Sequence, residues 1–134
     1  MRSVKQLIIH CSDSPDDLDV GFIEVNNWHK ERHWESESGV HCGYHFIIRR
    51  NGVIEVGRTA DEIGAHCKGA NGDSIGICLI GTKKFDQKQF DSLIRLVTGL
   101  KRQYVITTVA GHRDYPTAIQ QGKTCPNFEV KKVL

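Results

Sequence analysis

Hydrophobic and polar positions divide the chain into alternating strands and helices. Three short runs, at residues 4–10, 74–80 and 105–110, are rich in apolar and β-branched residues. Runs of this kind are typical of strands that are buried on both faces of a sheet. Two longer segments, at residues 22–33 and 86–104, place apolar residues three and four positions apart, with charged residues between them. That spacing predicts amphipathic helices.

A β-hairpin is predicted at residues 44–56, where Asn51-Gly52 separates two segments of β-branched and aromatic residues. This dipeptide is typical of a type I′ turn. The glycine-rich segment 57–73 predicts a long surface loop, and loops of that length in compact domains usually have a function. Residues 127–134 predict a last short helix. The pattern therefore indicates an α/β fold with a central mixed β-sheet flanked by helices.

Length and composition favour one ordinary globular domain over residues 1–134. The apolar fraction is 39%, the charged fraction is 25%, and the net charge is only +2. No segment concentrates lysine and arginine, so a nucleic-acid partner is not indicated. No stretch approaches the roughly 20 apolar residues that span a bilayer, and the first apolar run is too short for a signal peptide. We expect a monomer that is synthesised in the cytoplasm and inserts into no membrane.

The five cysteines, Cys11, Cys42, Cys67, Cys78 and Cys125, do not form a recognisable framework. Their number is odd, their spacing is irregular, and no C-x-x-C pair occurs. Zinc ribbons and thioredoxin-type motifs are therefore not supported. In a cytoplasmic chain, free thiols are expected rather than disulfides, and about four of the five are expected to be packing residues.

Two histidines lie at the ends of predicted strands. His10 ends the first strand, His112 follows the last one, and Cys125 comes thirteen residues later. If the two strands are parallel neighbours, both histidines emerge at the same carboxyl edge of the sheet, where open α/β sheets build their sites. Two imidazoles and a thiolate suit a tetrahedral zinc ion whose fourth position is open. A histidine after a strand is also commonly a hydrogen-bonded loop residue, so the spacing alone leaves both interpretations open.

Other metal-binding patterns are weaker. His29 and His33 are four residues apart on a predicted helix, but Lys30 stands where a metalloprotease helix has glutamate. A solvated helix face is the favoured interpretation of this pair. A zinc nucleobase deaminase is excluded, because the chain lacks both the H-x-E and the P-C-x-x-C signature.

Five segments of the chain together resemble one enzyme family. They occur in order between residues 6 and 128 and read LIIHCSDSP, GYHFIIRRNGVIEVGR, GAHCKGANGDSIGICLIG, AGHRD and GKTCPNF. This set is similar to the zinc-dependent N-acetylmuramoyl-L-alanine amidases, in particular the short phage endolysins, whose fold peptidoglycan recognition proteins share. The resemblance implies hydrolysis of the amide between the lactyl group of N-acetylmuramic acid and L-alanine in peptidoglycan. The resemblance to phage endolysins implies host lysis, and the expected lack of a signal peptide fits release through holin lesions.

The resemblance implies a role for individual residues. His10, His112 and Cys125 match the zinc ligands, and Tyr44 and Lys123 match the catalytic pair of the phage-type members. A zinc-bound water loses its proton readily and is a nucleophile at neutral pH. The Lys123 ammonium and the Tyr44 hydroxyl could then stabilise the oxyanion that develops on the substrate. Orientation of the water by Tyr44 is an alternative that the sequence leaves open.

The segment 64–74 resembles the substrate-groove loop of that family. His66, Lys68 and Asn71 are therefore candidate contacts to the stem peptide or the glycan. The alternative is a solvated loop. Asp114, two residues after His112, offers a carboxylate that could orient a ligand imidazole.

Several other functions remain to be distinguished. A peptidoglycan recognition protein that binds without hydrolysis would share the fold, but such proteins characteristically lack the cysteine ligand that Cys125 matches. A thiol hydrolase would use Cys125 as nucleophile and His112 as base. Some short phage amidases also bind the phage RNA polymerase through the chain before the first histidine, and only nine residues precede His10. A cytoplasmic recycling amidase and an injected effector also fit the sequence.

Overall fold

In the computed structural model, which describes residues 2–134, five strands form one mixed sheet. The strand order is β3-β2-β4-β1-β5, and only β3 runs antiparallel to its neighbour. The predicted mixed sheet with flanking helices is therefore confirmed. The strands are β1 (Gln6–Cys11), β2 (Phe46–Ile48), β3 (Ile54–Val56), β4 (Ser74–Leu79) and β5 (Thr108–Gly111). The helices are α1 (Phe22–Glu31), α2 (Gln87–Gln103), α3 (Pro116–Gln120) and α4 (Val130–Val133).

Strand β1 lies between β4 and β5 and is parallel to both. Its residues Leu7, Ile8 and Ile9 are completely buried, as a strand covered on both faces requires. Because β1 and β5 are parallel neighbours, His10 and the residues after β5 lie at the same edge of the sheet. The parallel pairing that was required for His10 and His112 to emerge at one edge is therefore present.

Helix α2 covers one face of the sheet. It begins with a capping box, in which Lys88 N–H donates to the Asp86 side chain (2.8 Å) and Asp86 N–H donates to the Gln89 side chain (3.0 Å). Its buried residues Leu93 and Val97 join the larger hydrophobic core with β1 and β4. Helix α1 contributes to a smaller core on the sheet with β2 and β4.

The hairpin forms where predicted, but its turn differs from the expected type. Gly52 has a φ of 87°, whereas Asn51 is not among the residues with positive φ, so the turn is not type I′. Gly52 N–H donates to Arg49 O and Arg49 N–H donates to Val53 O, both at 2.9 Å. This is the pattern of a three-residue loop with a bulge at glycine. The Ser92 hydroxyl on α2 donates to Gly52 O and so holds this turn against the helix.

The segment 57–73 is more deeply packed than a surface loop. Arg58 is buried and donates to the carbonyls of Cys42 and Ile63, each at 2.9 Å. His66, Cys67 and Ala70 are also buried, and a short 3-10 turn at Asn71–Asp73 leads into β4. The segment therefore packs behind the edge of the sheet.

Helix α3 was not predicted from the sequence. It has only five residues, begins at Pro116, and shows no helical periodicity of apolar residues.

Four of the cysteines are packing residues, as expected. Cys11, Cys42, Cys67 and Cys78 are buried, Cys125 is half-buried, and all five are free thiols. Within residues 2–134, every helix is too short or too polar to cross a membrane.

Buried His45 should make stability sensitive to acid. Its Nδ1 accepts a hydrogen bond from Gly76 N–H (3.0 Å), and its Nε2–H donates to Glu62 O (2.7 Å). Burial lowers the pKa of His45 from 6.5 to about 4. Between these two pH values the unfolded chain binds a proton at this residue and the folded chain does not. The unfolding free energy should therefore fall as the pH drops from about 6.5 to about 4, by about 3 kcal/mol from this group.

Urea unfolding of the metal-free protein across this pH range measures the effect. His45→Asn, whose side-chain oxygen can still accept from Gly76 N–H, should show a shallower dependence by about one proton. An equal fall of the unfolding free energy with pH in both proteins would contradict the assignment.

Candidate metal centre and substrate cleft

His10, His112 and Cys125 converge at the carboxyl edge of the sheet. Ile9 of β1 lies opposite Gly111 of β5, so the residues that follow in each strand leave the sheet side by side. The rings of His10 and His112 have centroids 4.6 Å apart. The potential ligand atoms of the three residues all lie within 4.8 Å of one another.

The loop after α3 carries Cys125 back to the sheet. Cys11 N–H donates to Cys125 Sγ (2.9 Å), and Arg113 N–H donates to Cys125 O (2.8 Å). A Cβ at Gly111 would lie 2.8 Å from Pro126 Cδ, so the close approach requires glycine. Cys125 is therefore fixed between the ends of β1 and β5.

The ionisation of the two histidines suits metal binding. Burial, with the Lys123 charge, lowers the pKa of His112 to about 4. Burial, with neighbouring His66 and His112, lowers the pKa of His10 well below 6.5. Both imidazoles are neutral at neutral pH, which is the form that binds a metal.

The three residues fit a zinc ion. Contact with the Cys11 thiol and burial raise the pKa of Cys125, so without a cation this thiol keeps its proton. A coordinated cation reverses that preference and deprotonates the thiol. Tetrahedral coordination places ligand atoms roughly 3.5 Å apart, and small side-chain movements would bring these donors from within 4.8 Å to that spacing. Three protein donors leave a fourth position open, as in catalytic zinc sites.

A cleft of about 430 Å³ opens in front of the three candidate ligands. The Tyr44 ring lies 5.0 Å from the His10 ring, and Lys123 is exposed at the cleft. Burial raises the pKa of Tyr44 well above 10, so its hydroxyl keeps its proton and can donate a hydrogen bond. Other lining residues include Asp13, Arg32, Trp34, Thr124 and Asn127.

Helix α1 holds Tyr44 in place through His29. Gly43 N–H donates to His29 Nδ1 (2.7 Å), and the His29 ring lies 5.3 Å from the Tyr44 ring. His33 was predicted to lie on the same helix, but α1 ends at Glu31, and His33 is exposed two residues beyond it. The two histidines therefore do not act as a metal-binding pair.

The three predicted substrate contacts line a second groove, of about 330 Å³. Lys68 is exposed there, whereas Asn71 Oδ1 accepts from the backbone N–H groups of His66 (3.0 Å) and Cys67 (2.9 Å). The two ring nitrogens of His66 contact His10 and the Ser74 hydroxyl. A ligand in this groove would therefore meet the ring carbons of His66.

The hydrogen-bond partner of His10 was not predicted from the sequence. The Asp114 carboxylate accepts from Gly111 N–H (3.0 Å), while His10 Nε2 lies 2.9 Å from His66 Nδ1. Trp34, which lines both the cleft and the second groove, was also not among the predicted site residues. Gly64 and Gly76 leave room for the His66 ring. These two glycines were the only feature of the sequence that pointed to the contact between His66 and His10.

Residues 1–128 match the family model described as N-acetylmuramoyl-L-alanine amidase. The chain belongs to this family. It is 37% identical to the endolysin of Klebsiella phage KP32, over 98% of this chain and 85% of that protein. The family and the phage amidase function expected from the sequence are confirmed.

Solved structures agree with this assignment. The amidase LysC from Clostridium intestinale URNW superposes with a TM-score of 0.82, at 28% identity over 98% of this chain and 83% of that one. A Drosophila PGRP-LB variant in complex with tracheal cytotoxin has a TM-score of 0.75, at 26% identity over 96% and 78% of the two chains. The amidase and peptidoglycan recognition protein fold is thus confirmed.

Gly76→Ala should destabilise the amidase by about 1–3 kcal/mol, because a Cβ there would lie 2.6–2.8 Å from the His66 ring in a fully buried strand. Gly72→Ala is the control, since nothing lies within 4 Å of its added Cβ. Urea unfolding measures both variants. Equal stability of the two would show that His66 is not confined by β4.

Proposed function

We propose that this amidase is zinc-dependent and that His10, His112 and Cys125 hold the ion. The observation that carries this proposal is the convergence of two neutral imidazoles and one thiol within 4.8 Å, in front of an open cleft. The metal, when bound, supplies Lewis acidity and a readily deprotonated water. Cys125 is also the residue expected to separate an enzyme from a recognition protein on this fold.

Tyr44 and Lys123 are proposed to act on the substrate amide. Both line the cleft that the candidate ligands face. The Lys123 ammonium would attract the carbonyl oxygen as negative charge develops on it. The Tyr44 hydroxyl, which keeps its proton, would donate a hydrogen bond to the same oxygen or orient the attacking water.

Peptidoglycan or a soluble muropeptide is the proposed substrate. The complex of the related PGRP-LB variant with tracheal cytotoxin supports a substrate of this type. The second groove joins the cleft through shared lining residues, among them Trp34, His112 and Lys123. We propose that the groove holds the stem peptide or glycan, with Lys68 as a polar contact and His66 and Asn71 in its wall.

The proposed biological role is lysis of the host cell wall. Similarity to a phage endolysin along nearly the whole chain supports this role. Release to the cell wall through holin lesions is part of the proposal. A single domain, a monomeric state and the lack of a nucleic-acid partner stay predictions, as does binding to a phage RNA polymerase.

The purified chain should bind one zinc ion and release products cut between the lactyl group and L-alanine. Cys125→Ser should lose most of the bound zinc and the activity, because a thiolate ligand is replaced by a hydroxyl that binds zinc poorly. Metal analysis and mass spectrometry of digested peptidoglycan measure the two effects. Cys67→Ser, at a buried cysteine outside the candidate ligand set, is the control for zinc content.

Chelation separates the metal mechanism from a thiol hydrolase. Complete removal of zinc should abolish activity, and added zinc should restore it. Full activity of the stripped enzyme, together with its loss on thiol alkylation, would favour Cys125 as a nucleophile and refute the proposal.

Lys123→Met should keep the zinc content and lower turnover by ~10²–10³-fold, the usual effect of removing one oxyanion donor. Lys101→Met, at an exposed position on α2, is the control. The measurement is kcat on a soluble muropeptide, with zinc content determined in parallel. Unchanged kcat with full zinc occupancy would exclude a catalytic role for Lys123.

A further inference from the structure

His66 and Ser74 form a hydrogen-bonded line beneath His10. His10 Nε2 lies 2.9 Å from His66 Nδ1, and His66 Nε2 lies 3.2 Å from the Ser74 hydroxyl oxygen. His10 is 1% exposed, His66 is 8% exposed and Ser74 is completely buried. The line therefore lies inside the protein, on the side of His10 that carries Nε2.

This geometry determines which nitrogen of His10 is available to a metal. A neutral imidazole has one N–H donor and one acceptor nitrogen. Since Nε2 is engaged by His66, Nδ1 is the nitrogen available to join His112 and Cys125. A proton on His10 Nε2 can be donated to His66 Nδ1, and His66 can then donate its own Nε2–H to the Ser74 hydroxyl.

The surrounding structure holds His66 in one position. A Cβ at Gly76 or at Gly64 would lie 2.6 Å from the His66 ring, so both glycines make room for it. Asn71 accepts from the His66 backbone N–H (3.0 Å), and Arg2 donates to Ser74 O (2.7 Å). These contacts hold His66 and Ser74 in place, and they come from residues outside the candidate metal centre.

We propose that His66 is a positioning residue for His10, and that Ser74 selects the tautomer of His66 that allows it. Accepting the Nε2–H of His10 keeps its Nδ1 unprotonated and turned toward the other candidate ligands. In most metal sites a carboxylate, a carbonyl or water has this function, and its loss costs 10–100-fold in metal affinity or activity. The inference rests on the proposed zinc function and assigns His66 a role separate from substrate contact.

Zinc affinity measured by competition with a chromophoric chelator tests the role directly. His66→Ala should weaken zinc binding by ~10–100-fold. His66→Asn should restore most of that loss, because its side-chain oxygen can accept from His10 Nε2–H as Nδ1 did. His33→Ala, at an exposed histidine, should bind zinc as the unmodified chain does. Thermal unfolding establishes that each variant is folded.

The tautomer of His10 in the metal-free protein is a second readout, independent of activity. Nitrogen-15 NMR at neutral pH should show His10 protonated on Nε2 in the unmodified chain. It should show a mixture of tautomers in His66→Ala and a smaller shift toward that mixture in Ser74→Ala. This measurement can be made on Ser74→Ala and His66→Asn if His66→Ala does not fold.

Two results would overturn the inference. One is a folded His66→Ala protein with unchanged zinc affinity, and the other is a His10 tautomer that does not respond to His66→Ala or Ser74→Ala. Failure of the unmodified chain to bind zinc would instead refute the proposed function. The NMR readout needs no metal, so the two failures are distinguishable.

Discussion

Parallel pairing of β1 with β4 and β5 is the constraint on which the rest of the structure depends. The side-chain period of a strand is two, so a slip of one residue would turn His10 toward the opposite face of the sheet. The fully buried residues Leu7, Ile8 and Ile9 pack on both faces of the sheet and hold β1 between its two neighbours. The hydrophobic core thus positions a polar centre at its edge.

Burial has two consequences at this edge. It holds His10 and His112 neutral, which prepares them for a cation, and it holds Tyr44 protonated, which prepares it to donate. The same desolvation makes buried histidines such as His45 a source of acid sensitivity. Stability at low pH is therefore coupled to the environment that the chemistry requires.

Two loops bring further site residues to the edge of the sheet. The segment 57–73 brings His66 beneath His10 and lines the second groove, while the segment after β5 returns Cys125 and Lys123 to the cleft. Backbone hydrogen bonds hold both loops, including Cys11 N–H to Cys125 Sγ at 2.9 Å. Tyr44 depends in the same way on His29 of α1. His10, Cys125 and Tyr44 are thus each held in place by a neighbouring residue.

The sequence by itself determined the fold class, the five strands, the two long helices and the family, because buried strands, helix periodicity and ordered motifs leave strong local patterns. It also singled out His10, His112 and Cys125, since His10 ends a predicted strand, His112 follows one, and Cys125 lies in a family motif. Only the tertiary structure decided the turn at Gly52, the depth of the segment 57–73 and the contact of His66 with His10. These features depend on packing between residues far apart in the chain, such as Gly52 with Ser92 and His66 with Ser74 and Gly76. Apart from the glycines beside His66, short-range sequence patterns do not indicate such contacts.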